Sequence, residues 1–172
     1  MIGLMKMKKS ERVNIIRDYL NELFENPVCE LNYNNDYQLL IAIVLSAQTT
    51  DKRVNSVTPI LFGKYNSLEK LSKADISDLE NILRPIGSFR KKAIYVKEIA
   101  NILVSKYNSV VPINRKKLEE FPGVGRKTVN VFFSEFCKIP ALAVDTHVER
   151  VSKRLGLVKD KDSVREIEEK LK

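Results

Sequence analysis

The sequence predicts an all-α protein. Three observations carry this. Most segments place apolar residues at helical spacing, as Val13, Ile16, Leu20 and Leu23 do near the start. Ser, Thr, Asp or Asn stands ahead of most of these runs, where an N-cap belongs. No segment alternates apolar and polar residues for long enough to argue a strand.

The elements follow in order. Ser10 is placed to cap a first helix carrying those four apolar residues. Asn35 with Gln38 resembles a capping box before residues 37–45, a run apolar on nearly every side and therefore central. Residues 51–62 turn Val54, Val57 and Leu61 to one side, and Asp75 caps a helix over 76–83. Residues 88–107 form a long amphipathic helix with Ala93, Val96, Ile99, Ala100 and Val104 inward. Asn114 caps a short helix over 116–120, and Gly125 opens another over 126–136. Thr146 with Glu149 fits a capping box for a helix ending near Gly156, which leaves Asp145 just outside it. Ser163 with Glu166 fits another, before Val164, Ile167 and Leu171. That last helix runs to Lys172 with no stop signal, so the chain reads as cut inside an element.

A chain of 172 residues suffices for one domain or two small ones with a real core. Lys and Arg number 30 against 22 for Asp and Glu, a net +8. Alone, that excess fits a lysine-rich solvated surface as well as it fits nucleic acid. The two cysteines, Cys29 and Cys137, stand in no C-x-x-C spacing, which favours structural thiols in a reducing compartment over a disulfide or metal site. The longest apolar run, 39–45, cannot span a bilayer, and no apolar leader core follows the early lysines. The expectation is a protein with no membrane partner, located in the cytoplasm and associated with the nucleoid.

The most informative stretch is Phe121-Pro122-Gly123-Val124-Gly125-Arg126-Lys127-Thr128. A Pro-Gly turn, a second glycine and a basic helix start make a tight hairpin between two helices. Gly123 can take φ > 0, and Gly125 leaves no side chain between backbone and ligand. The first N–H groups of the next helix lack intrahelical partners and suit a phosphate. This hairpin tips the basic excess towards nucleic acid.

Lys127 has two readings. It is a plain phosphate contact, or a nucleophile whose neutral amine is favoured by the helix N-terminus and by Arg126. Asp145 is either a cap or a carboxylate that takes a proton or stabilises positive charge on a sugar. His147, the only histidine, reads as structural. Residues 45–51 are either a capped helix junction or a loop whose Gln48 enters a duplex behind an extruded nucleotide. The cationic turn over 84–92 holds Ser88, Phe89 and Arg90, and Phe89 is either core or a wedge against an unpaired base. The Gly-Arg-Lys-Thr sequence is not a P-loop, which needs a preceding strand and a longer spacing between its glycines.

Together these residues resemble the endonuclease III family of base-excision DNA glycosylases. The likeness runs from Ser10 to Lys172 and rests most on Leu45-Ser46-Ala47-Gln48, the hairpin, and Ala143-Val144-Asp145-Thr146-His147. It implies a two-lobed helix–hairpin–helix DNA glycosylase fold. A six-helix barrel would cover 27–135, with the hairpin motif at 115–136, and a second lobe would join 1–26 to 136–172. The resemblance makes Lys127 the nucleophile at the deoxyribose C1′ and Asp145 the essential carboxylate. It puts Gln48, Ser88, Phe89, Arg90, Pro122, Gly123, Val124, Gly125 and Arg126 on DNA. The lysine implies the glycosylase/AP lyase branch, which removes oxidised pyrimidines and cuts 3′ to the abasic site by β-elimination. The implied partner is double-stranded DNA with damaged bases or abasic sites, met by a monomer, with a monovalent cation at the hairpin.

Family members carry a C-terminal cysteine quartet for a [4Fe–4S] cluster. Cys29 and Cys137 do not fit its spacing and the chain ends before that region, so no cluster and an incomplete, marginal second lobe are expected. The competing reading is a non-catalytic, degenerate helix–hairpin–helix DNA-binding remnant. Retention of both Lys127 and Asp145, which binding alone does not need, favours the enzyme.

Overall fold

Helices are the only regular elements among the described residues, which in this computed structural model are 7–25 and 27–172. The reading of the first residues as lacking a leader core falls largely on 1–6, outside them. In chain order the helices are α1 (Lys9–Leu23), α2 (Asp36–Ser46), α3 (Asp51–Lys64), α4 (Leu68–Ser72) and α5 (Ile76–Leu83), then α6 (Phe89–Lys106), α7 (Arg115–Glu119), α8 (Arg126–Glu135), α9 (Thr146–Arg154) and α10 (Val164–Leu171). They fall into two units. One is Glu30–Ala141, and the other joins Leu142–Lys172 to the N-terminal residues through Cys29. No described helix is long and apolar enough to cross a membrane.

The Glu30–Ala141 unit is built around α2. Its residues from Gln38 to Leu45 are all buried, as an all-round apolar helix requires, and it packs against α3, α6 and α8. Asn35 caps it through the Gln38 N–H at 3.1 Å. The Gln38 side chain accepts from Asn34 N at 2.9 Å instead of from Asn35, so the expected capping box closes one residue early. On α3, Val54, Val57 and Leu61 face inward. Asp75 caps α5 through the Ser77 and Asp78 N–H groups, and Asn114 caps α7 through Lys117 N. On α6 the buried stripe is Ala93, Val96, Ile99, Ala100 and Leu103. The expected Val104 is only half-buried, because Leu103 continues the stripe three residues beyond Ala100.

The second unit has a small core of Val144, Val158 and Ile167, with Leu142, Val148 and Leu171 packed against it. Ser163 and Glu166 form the expected capping box of α10. Val164, expected inward, is 45% exposed, while Glu168 is buried and paired to Lys172 at 2.8 Å. Asp162 is buried and paired to Lys170 at 2.6 Å. Hydrogen bonds from Lys170 and from the Lys159 N–H hold its carboxyl below the usual range. α1 begins at Lys9 behind an uncapped Lys8, so Ser10 lies within the first turn and is not its cap. No residue of α1 is buried, and Val13, Leu20 and Leu23 remain 40–53% exposed.

Candidate active site and nucleic-acid interface

Local hydrogen bonds close the hairpin between α7 and α8. Phe121 N donates to Leu118 O at 3.0 Å and Val124 N to Phe121 O at 3.1 Å, which closes two consecutive turns. Phe121 and Val124 are buried, so Val124 can offer a ligand its backbone only. The Phe121 ring lies 5.7 Å from that of Tyr107. Arg115 at the start of α7 donates to the buried Asn130 of α8 and tethers the two helices. Gly123 has φ 76°, and a Cβ there would lie 2.6 Å from the Tyr95 ring, so conformation and space both demand glycine. Gly125 differs. Its backbone is extended (φ −113°, ψ −179°) and a Cβ would meet nothing within 4 Å. Its missing side chain leaves the backbone open and is not required by packing. As the N-cap of α8 it supplies no side-chain hydrogen bond.

Lys127 sits exposed in the first turn of α8, next to the half-buried Arg126; both belong to the Glu30–Ala141 unit. Asp145 belongs to the other unit, and here the structure corrects the sequence. Asp145, not Thr146, is the N-cap of α9. Its Oδ1 accepts from His147 N at 3.0 Å and from Val148 N at 2.8 Å. Glu149 does not fold back as a capping box requires; it pairs with Lys153 at 2.7 Å. Two cap-competent residues in succession carry nearly the same sequence signal. The extended backbone at Asp145 decides between them. Capping fixes the orientation of the carboxylate. His147 is exposed, with its ring nitrogen 3.0 Å from Arg150.

Gln48, Ser88 and Gly123 come together around one cavity of about 180 Å³, completed by Val44, Ala47, Lys91, Lys92 and Tyr95. Gln48 and Ser88 both adopt left-handed backbone, at φ 54° and 56°. For a non-glycine residue that costs about 1–2 kcal/mol. The two turns lie close at Gly87, where a Cβ would make ordinary contact with the Gln48 carbonyl at 3.7 Å. Phe89 is half-buried, with the Arg90 guanidinium 4.8 Å from its ring, and Arg90 itself is exposed. Pro122 is half-buried.

Lys92 is the residue that sequence reasoning missed, as one more cation in the 84–92 turn. It is only 4% exposed. Its ammonium donates to Ala47 O and to Thr49 Oγ1, both at 2.8 Å. Burial pushes its pKa below the ordinary lysine value.

The residues present do not fit a [4Fe–4S] cluster, which takes four thiolates where this chain has two cysteines. Burial and the Asp36 carboxylate push the Cys137 thiol up, away from the thiolate a metal needs. Among the described residues no three His, Cys, Asp or Glu side chains gather as a metal site.

Residues 41–172 match the family model described as HhH-GPD superfamily base excision DNA repair protein. The chain is 41% identical over 165 residues to endonuclease III of Bacillus subtilis, covering 96% of this chain and 75% of that protein. It is 43% identical over 147 residues to endonuclease III of Rickettsia prowazekii, covering 81% and 69%. A trapped endonuclease III–DNA covalent intermediate superimposes with a TM-score of 0.89 at 45% identity, over 96% of this chain and 77% of that one. A thermostable thymine-DNA glycosylase, at 21% identity and a TM-score of 0.75 over 94% and 84%, shares the fold. The chain therefore belongs to the HhH-GPD superfamily of base excision DNA repair proteins and, within it, to the endonuclease III family of DNA glycosylase/AP lyases.

Proposed function

We propose that the protein excises oxidised pyrimidines from double-stranded DNA and then cuts the strand 3′ to the abasic site. The observation that carries this reading is Lys127 in the first turn of α8, behind a hairpin whose Gly125 leaves the backbone open. Likeness to a trapped endonuclease III–DNA covalent intermediate supports it.

In this reading the hairpin N–H groups grip phosphate, and the damaged nucleotide leaves the stack. The Lys127 amine attacks the deoxyribose C1′, the glycosidic bond breaks, and its electron pair leaves with the base. The Asp145 carboxylate, held by the α9 N-terminus, takes the amine proton and offsets positive charge on the sugar. The sugar ring opens as O4′ takes up the proton that Asp145 holds, leaving an iminium ion that joins C1′ to Lys127. Loss of a C2′ proton then expels the 3′ phosphate. Water hydrolyses the imine and restores the amine. Gln48 fills the gap in the stack, Phe89 wedges against the unpaired partner base, and Arg90 contacts the DNA.

The test is incubation with a duplex containing one oxidised pyrimidine. The expected products are free base and a strand ending in a 3′ unsaturated aldehyde. Binding with neither product would leave only a DNA-binding module.

A further inference from the structure

We infer that Lys92 is a positioning residue that fixes the Gln48 turn for its entry into the duplex. Its two acceptors, Ala47 O and Thr49 Oγ1, flank Gln48 on either side, each 2.8 Å from the ammonium. The Thr49 hydroxyl also reaches Ala47 O at 3.4 Å, closing a ring of polar contacts around Gln48. Gln48 is exposed and held in the left-handed region at φ 54°, a conformation that persists only where its surroundings over-determine it. The Lys92 ammonium supplies that determination, because its two bonds are charge-assisted and its side chain is itself buried. Lys92 also ties in the facing turn. Its own N–H donates at 3.1 Å to the carbonyl of Ser88, the second left-handed residue at the cavity. That bond is a backbone one of the first turn of α6, the turn that carries Phe89 and Arg90, so the Lys92 side chain joins the Gln48 turn to this helix start.

The inference rests on the reading of Gln48 given above, and the experiment separates the two. Single-turnover base release is measured on a duplex with a paired oxidised pyrimidine, and strand cleavage on a duplex with a preformed abasic site. The proteins are wild type, Gln48→Ala, Lys92→Met, Thr49→Val, Thr49→Ser and the Gln48→Ala/Lys92→Met double variant. Lys92→Met removes both charge-assisted bonds to the Gln48 turn, and base release is expected to fall about tenfold, with a loss under about threefold on the abasic duplex. Thr49→Val should lose about threefold in base release, and Thr49→Ser, which keeps the oxygen, should restore it. The double variant should be no slower than Gln48→Ala, because a displaced turn with no side chain to aim loses nothing more.

Losses that multiply in the double variant, or equal losses on both duplexes, overturn the role of Lys92. If Gln48→Ala itself slows both duplexes equally, the reading of Gln48 fails and the inference fails with it. If Lys92→Met does not fold, the Thr49→Val and Thr49→Ser pair decides by the same criterion.

Discussion

Asp145 is a helix cap and, in the proposed chemistry, a needed charge, and mutation can pull the two apart. Its Oδ1 accepts the His147 and Val148 N–H groups at 3.0 and 2.8 Å, so it caps α9. The proposed chemistry needs its negative charge. Asn caps a helix about as well as Asp, whereas Ala removes the cap at about 1 kcal/mol. For a protein of this size that converts to a melting shift of about 2–4 °C. Asp145→Asn should therefore melt within about 2 °C of wild type, the residue being the lost attraction between carboxylate and helix dipole. Its base release should still fall about 100-fold or more, the range a positioned acid–base or electrostatic group supplies. Asp145→Ala should lose both. Melting is followed by circular dichroism and base release by single turnover on an oxidised-pyrimidine duplex. If Asp145→Asn excises within a few-fold of wild type, the carboxylate is a cap and nothing more. If it melts as low as Asp145→Ala, the geometry assigned to the cap is wrong.

Gly123 and Gly125 should separate fold from grip. Gly125→Val meets no atom within 4 Å and keeps an extended backbone, so it should melt like wild type but bind undamaged duplex about tenfold more weakly, with phosphate contacts blocked. Gly123→Ala meets Tyr95 at 2.6 Å with φ 76°, so its melting temperature should drop; equal melting of the two variants would refute this assignment. Acid should act on the Leu142–Lys172 unit. The Asp162 carboxyl is held low when folded, so its stabilisation is present above the ordinary carboxylate pKa of about 4 and is lost as pH falls through the folded value. Hydrogen exchange should show Asp162→Asn less protected than wild type at neutral pH, with the gap closing as the pH falls below the ordinary carboxylate range; a gap constant with pH would contradict this linkage.

What was legible in the sequence was local. The Pro122–Gly125 turn, the Asn35, Asp75, Asn114 and Ser163 caps, and the inward faces of α2 and α3 depend on residues within a few positions of one another. Where two local signals competed, order failed. Asp145 and Thr146 are both good caps, and only the backbone at Asp145 selects between them. Where the partner is distant, nothing pointed to the answer. Lys92 reads as one cation among several until α6 carries it to a carbonyl 45 positions earlier. Faces at the margins also shifted. Leu103 displaced Val104 on α6, and Glu168 is buried beside Ile167 where Val164 was expected.

The central claim is a covalent bond between one lysine and the sugar. Wild-type protein is mixed with a duplex holding a single abasic site in the presence of borohydride, and the adduct is digested and mapped by mass spectrometry. The expected result is a stable protein–DNA adduct on Lys127, abolished in Lys127→Ala and equally in Lys127→Arg, whose guanidinium stays protonated and cannot attack. Binding of the abasic duplex by Lys127→Ala should persist. An undiminished adduct in Lys127→Ala, or one mapped to another lysine, would contradict the assignment of the nucleophile.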